Sequence, residues 1–255
     1  MLKDFSKMKF DVVIQAGQSN AEGTGFGPAP EPFQPDDRVW YMNRNFTVTA
    51  AAETVLENET RGDFSLSFAR EYLKNGLLEE GRDLLILRSA VGGTGFLDRH
   101  WGPEDDHFLT MMEMIETALT LNNENRLIAL LWHQGETDAC YNATYDAHYE
   151  HLNGLLHAVT ARFNVPALPF IAGNFVQQWI EENPAICAPV IEAMRDVCKA
   201  YPAGAFVETD GLPSNYQQIG HETLNFRDTI HFSRASLYRL GERYFEAFGR
   251  LRGET

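Results

Sequence analysis

Apolar residues along the chain fall into two alternating kinds of run. Short blocks closed by glycine or polar residues occupy 10–16, 38–42, 83–91, 126–132, 168–173 and 205–208, and each reads as a strand. Between them lie longer stretches with helical spacing, at 64–78, 107–121, 141–163, 188–201 and 233–251. In the first of these, apolar residues stand at 64, 66, 68, 69, 72 and 73, and Gly76 and Gly81 bracket its end. Parallel strands need long crossovers, so this alternation predicts an α/β fold: a three-layer α/β/α arrangement around a central parallel sheet. Four prolines and two glycines between Gly25 and Pro35 predict an irregular loop after the first strand. No repeat, low-complexity segment or linker interrupts the pattern, and residues 1–255 are expected to form a single domain.

Composition narrows the partners. Apolar residues make up 44% of the chain and charged residues 22%, as in a soluble globular protein. Acidic side chains outnumber basic ones 36 to 21, for a formal charge of -15. That field repels phosphate backbones and anionic headgroups, so neither nucleic acid nor a membrane is an expected partner, and a neutral substrate is favoured over a highly anionic one. No run approaches the roughly 18 apolar residues of a membrane span. The first residues read as the approach to a strand, not as an export signal. Cys140, Cys187 and Cys198 are widely spaced and form no CxxC pair, so no disulfide framework is indicated and a cytoplasmic location is the expectation.

In a sheet of this kind, ligands bind beyond the carboxyl ends of the strands. Four segments should meet there: Gly17-Gln-Ser-Asn20, Gly92-Gly-Thr-Gly95, His133-Gln-Gly-Glu136, and the segment after the last strand. Ser19 fits a helix capping box with Glu22. It equally fits a nucleophile, provided that a base, an orienting group and oxyanion donors stand nearby. His231 is the candidate base. Asp228, three residues earlier, is placed to hold one of its ring nitrogens; in the competing reading Asp228 caps a turn and His231 is structural. Gly92 and Gly93 let a backbone N–H approach a ligand closely, and Gln134 ends an apolar strand with an amide that needs a partner. Glu136 and Asp138 are expected to orient that loop or meet a substrate hydroxyl, the commoner alternative for such residues being solvated loop acids. Trp101, with His100 and Asp98, is expected at the substrate rim, the alternative for Trp101 being packing beneath its loop. A rival reading makes His221, Asp228 and His231 metal ligands, but no HExxH pattern supports it.

The blocks Gly17-Gln-Ser-Asn20, Gly92-Gly-Thr94, Trp132-His-Gln-Gly-Glu136 and Asp228-Thr-Ile-His231, in that order, resemble those of the SGNH hydrolases. They are most similar to the branch containing sialate O-acetylesterases and acetylxylan esterases, which carries glutamine in the third block. The resemblance implies a flavodoxin-like fold and a serine esterase that removes acetyl groups from sugar hydroxyls, acting on a small-molecule or oligosaccharide acetyl ester. It further implies Ser19 as nucleophile, His231 as base and Asp228 as its orienter. The implied oxyanion hole comprises the Ser19 N–H, a glycine N–H (Gly93 favoured over Gly92) and the Gln134 amide, with no metal and no cofactor. A non-catalytic carbohydrate-binding module, and a short-chain acyl esterase or thioesterase, are the competing readings.

Overall fold

The computed structural model describes residues 4–56, 58–223 and 225–253. Strand β1 (Lys9–Gly17) leads into the short helix α1 (Ser19–Glu22); β2 (Val39–Asn43), β3 (Val48–Ala50) and a small hairpin, β4 (Thr54–Leu56) and β5 (Glu59–Arg61), follow. Next come α2 (Phe64–Lys74), β6 (Arg82–Arg88), α3 (Asp106–Leu121), β7 (Arg126–His133), α4 (Glu136–Cys140) and α5 (Tyr145–Arg162). The rest of the chain forms β8 (Phe170–Gly173), α6 (Gln177–Glu182), α7 (Pro184–Ala200), β9 (Gly204–Val207), α8 (Asn215–Ile219), a second hairpin of β10 (Glu222–Thr223) and β11 (Phe226–Arg227), and α9 (Arg234–Arg252).

Seven strands make one sheet in the order β3-β2-β6-β1-β7-β8-β9. All neighbours are parallel except β3, which turns back antiparallel on β2 at the edge. Helices flank this sheet, α2 packing on α9 and α5 on α7. Burial on both faces is why β1 and β7 read as continuous apolar runs without alternation. Among the described residues no helix is long and apolar enough to cross a membrane.

All six expected strands form, and the differences lie in the helices and connections. The helix expected over 141–163 forms but starts later, at Tyr145, and a short helix, α4, precedes it. Asn142 takes a positive φ of 58° between α4 and α5, and the Thr144 hydroxyl caps α5 by accepting the N–H of Ala147. Helix α7 begins ahead of expectation at Pro184, because proline in the first turn forfeits no hydrogen bond, and it carries Pro189 within it. Edge strand β3 and the two hairpins were not foreseen.

One charge is buried in the middle of the sheet. Asp11 on β1 is fully buried and receives hydrogen bonds of 2.7 Å from Arg82 on β6, 2.7 Å from Arg126 on β7 and 2.7 Å from Tyr72 on α2. Burial alone would raise its pKa, but the hydrogen bonds from Arg126, Tyr72 and Arg82 outweigh it and hold the carboxyl below its ordinary value. Three neighbouring strands are thereby tied at the end of the sheet opposite the candidate site. Asp11→Asn leaves Arg82 buried without its counter-charge and should cost about 3 kcal/mol of unfolding free energy in urea at neutral pH. Because the folded pKa is lowered, this contribution should persist above the ordinary aspartate value and fade as pH falls below it. A loss under about 1 kcal/mol would show that the pair does not hold these strands.

Candidate active site

The carboxyl ends of β1 and β7 come unusually close. At Gly17 a Cβ would lie 2.0 Å from the carbonyl oxygen of His133, and the backbone φ there is +129°, so only glycine is accommodated. The next N–H, of Gln18, donates to that same carbonyl at 2.9 Å. This contact sets Ser19 at the first position of α1, directly beside the loop that follows β7.

Ser19 is not a capping residue. The N-cap of α1 is Gln18, and the Glu22 carboxylate accepts the backbone N–H of Gly92 at 2.8 Å instead of reaching back along its own helix. The Ser19 hydroxyl lies 2.9 Å from His231 Nε2, and His231 Nδ1 lies 2.7 Å from Asp228 Oδ1. The second oxygen of Asp228 accepts from Asn215 Nδ2 at 2.9 Å. Asp228 is fully buried. Burial pushes its pKa up, yet the hydrogen bonds from His231 and Asn215 outweigh this and hold it below the ordinary value.

The second block closes over the serine. A Cβ at Gly92 would come within 3.6 Å of Ser19 Cβ, while Gly93 has a positive φ of 71° and open space where a Cβ would stand. The Gly92 N–H is taken by Glu22. Among the described residues, the N–H groups of Ser19 and Gly93 make no hydrogen bond within the protein. Gln134 is buried; its Nε2 donates to Asp138 Oδ2 at 2.8 Å and has only long contacts of 3.4 and 3.5 Å to Thr94 O and Gln18 Oε1. Asp138 also accepts the N–H groups of Phe96 at 2.9 Å and Leu97 at 2.8 Å. It therefore ties the second block to the third, which is the loop-orienting alternative among those expected for it.

Burial decides between the alternatives expected for two residues. Trp101 is fully buried, with its indole N–H donated to Thr94 Oγ1 at 3.0 Å and its ring edge-on to Trp132. It props the loop from beneath and cannot face a sugar, so the rim role fails on burial. Glu136 is also fully buried, and its Oε1 accepts from Asn20 Nδ2 at 2.8 Å, in keeping with the positioning alternative expected for it. Asn20 was missed, although it stands inside the first block. Its Nδ2 also donates to Ile230 O at 3.0 Å, and its Oδ1 accepts the N–H of Phe232 at 3.0 Å. The two backbone groups flanking His231 are thus held by the residue next to Ser19.

The metal reading fares poorly on geometry. Among the described residues, His100, Asp106 and His107 are the group whose donor atoms gather within 4.8 Å, whereas His221, Asp228 and His231 do not gather in this way. Arg44 Nη2 sits 3.0 Å from His107 Nδ1, and a guanidinium in that position opposes a bound cation.

Burial raises the Glu136 carboxyl above its ordinary value of 4.5, against the lowering hydrogen bond from Asn20. Its Oε2 has no partner among the described residues. A raised folded pKa gives stability that is full below the unfolded value and is lost as pH rises through the folded one. Glu136→Gln keeps the acceptor for Asn20 without the ionisation. Urea unfolding should therefore show the variant gaining on wild type between about pH 4.5 and about pH 7.5. An equal difference at both pH values would mean that folding does not raise the Glu136 carboxyl.

No curated protein sequence matches this chain. The solved structure described as NanS superposes with a TM-score of 0.78 at 19% identity, covering 98% of this chain and 99% of that one. A protein from Arabidopsis thaliana gives a TM-score of 0.72 at 17% identity, covering 93% and 97%. XAC1771, described as a novel carbohydrate acetylesterase from Xanthomonas citri, gives 0.58 at 18% identity, covering 96% of this chain and 57% of that one. At these identities the likenesses establish a shared fold. The family model described as SASA, carbohydrate esterase, sialic acid-specific acetylesterase, matches residues 9–250. The chain belongs to that carbohydrate esterase family.

Proposed function

We propose that the protein is a serine esterase that removes O-acetyl groups from carbohydrates through a covalent acyl-enzyme. The observation that carries this reading is the unbroken hydrogen-bonded line from Asp228 through His231 to Ser19, at 2.7 and 2.9 Å. Family membership supports the ester and the sugar. In the first step Ser19 Oγ attacks the acetyl carbonyl carbon as its proton passes to His231 Nε2. The bond from that carbon to the sugar oxygen then breaks, and His231 returns the proton to the departing hydroxyl. Water adds to the acyl-serine, giving a proton to His231, and acetate leaves as Ser19 is reprotonated. Asp228 holds the imidazole in the tautomer that accepts at Nε2 and stabilises the imidazolium while it exists.

Negative charge develops on the acetyl oxygen in both steps. The free N–H groups of Ser19 and Gly93 are the backbone donors for it, with the second amide hydrogen of Gln134 completing the set. Gly92 is excluded from the role because Glu22 already occupies its N–H. Buried Asp138 keeps the Gln134 amide from rotating away.

Hydrolysis of a short-chain aryl acetate should fall on the order of 10⁴-fold or more in Ser19→Ala, and a chelator should leave the wild-type rate unaltered. Activity that survives the substitution would sink the serine mechanism. Gln134→Ala should lower kcat roughly a hundredfold or more with little change in the thermal midpoint. An unaltered kcat would remove Gln134 from the oxyanion hole.

A further inference from the structure

Asp138 has a further neighbour besides the second block and Gln134. The positive φ of 58° at Asn142 turns the chain between α4 and α5, and Ala143 donates its N–H back to the Asp138 carbonyl at 2.9 Å. That turn brings His148, near the start of α5, against the Asp138 side chain. Its Nδ1 lies 3.5 Å from Asp138 Oδ2, and both side chains are fully buried. Neither ring nitrogen of His148 has a hydrogen-bond partner among the described residues. The ring meets Phe96 edge-on, with centroids 5.6 Å apart, and Phe96 is a residue whose N–H Asp138 accepts.

A buried imidazole costs free energy where its nitrogens go unpaired, and a phenyl ring would fill much the same space without that cost. Whatever the tautomer, at least one ring nitrogen has a hydrogen to donate. A carboxylate oxygen 3.5 Å away comes within bonding range after a small rotation, and long contacts of this kind tighten once a site is occupied. The oxygen concerned also matters. Asp138 Oδ1 accepts the N–H groups of Phe96 and Leu97 at 2.9 and 2.8 Å. Oδ2 accepts Gln134 Nε2 at 2.8 Å, with a longer share of the Phe96 N–H at 3.1 Å. Burial pushes the Asp138 carboxyl up, yet the contacts with His148, Leu97 and Gln134 outweigh it and hold the group below its ordinary value.

We propose that His148 is a positioning residue of the oxyanion hole: by donating to Asp138 Oδ2 it fixes the oxygen that holds Gln134, and so keeps the free hydrogen of that amide aimed at the developing charge. The proposal rests on the esterase reading above and adds to it a group that acts through two other side chains.

The test is a double-mutant cycle on short-chain aryl acetate hydrolysis, with rates expressed per serine titrated by an organophosphonate, so that unfolded protein does not count. His148→Phe should lower kcat about tenfold to a hundredfold with KM nearly unaltered. His148→Asn, whose amide places a donor close to where Nδ1 stands, should recover most of that loss. In the Gln134→Ala background the same His148→Phe step should lower kcat by less than about twofold, because the group it positions is gone. Should the phenyl not be accommodated, His148→Leu takes its place in the cycle. The side-chain amide protons of Gln134, identified in a nitrogen–proton correlation spectrum by their disappearance in Gln134→Ala, should shift in His148→Phe and return in His148→Asn. An unaltered kcat or amide signal in His148→Phe, a loss that His148→Asn fails to recover, or an equal loss with and without Gln134 would overturn the proposal and leave the esterase standing. The amide shift in a protein that hydrolyses no acetate ester would uphold the hold of His148 on Gln134 and overturn the esterase.

Discussion

The side chain of Asn20 holds two distant parts of the chain in register around Ser19. One carboxamide donates to the carbonyl before His231 and accepts from the N–H after it, so the imidazole is approached from the serine's own side by a fixed frame. A 2.9 Å contact between a hydroxyl and a ring nitrogen tolerates little backbone drift, and the frame removes that freedom before any ligand enters. Glu136 lies behind Asn20 and fixes the rotamer in turn. A buried carboxyl is an expensive way to position an amide.

The two ends of the sheet treat buried acid groups differently. At one end Asp11 is neutralised by two arginines. At the other, Asp138 is held by backbone N–H groups and the Gln134 amide, and Asp228 by Asn215 and His231. Dipoles satisfy a carboxylate without cancelling its charge. Asp228 thus keeps its field at the adjoining His231 ring, whereas a guanidinium in Asn215's position would have cancelled it. The first arrangement ties strands together; the second leaves a group able to respond to a proton.

Much of this was legible in the sequence because of burial. Strands covered on both faces must be continuously apolar, and their carboxyl ends are marked by an abrupt change to glycine and polar residues, as at Gly17 and His133. The spacing of Asp228 and His231 likewise announced a pair. What stayed hidden depends on contacts that sequence spacing does not encode. Trp101 in a loop reads the same whether it lies over a ligand or under its own backbone, and the edge of Trp132 decided it. The capping box at Ser19 failed because Glu22 found a better donor in Gly92, distant in sequence. Asn20 bonds to backbone atoms, which carry no residue identity.

Ser19 and His231 are separated by 212 positions, and the first strand must be flanked on both sides before the last segment can close on it. As the chain leaves the ribosome at some tens of residues in a few seconds, the central strand waits for β6 and β7, and the hydroxyl waits longer still for the imidazole. Throughout that interval the nascent polypeptide carries a serine with ordinary alcohol reactivity. The hydrogen-bonded line from Asp228 through His231 to Ser19 can be completed only when the last segment docks, so that its geometry belongs to the finished molecule alone.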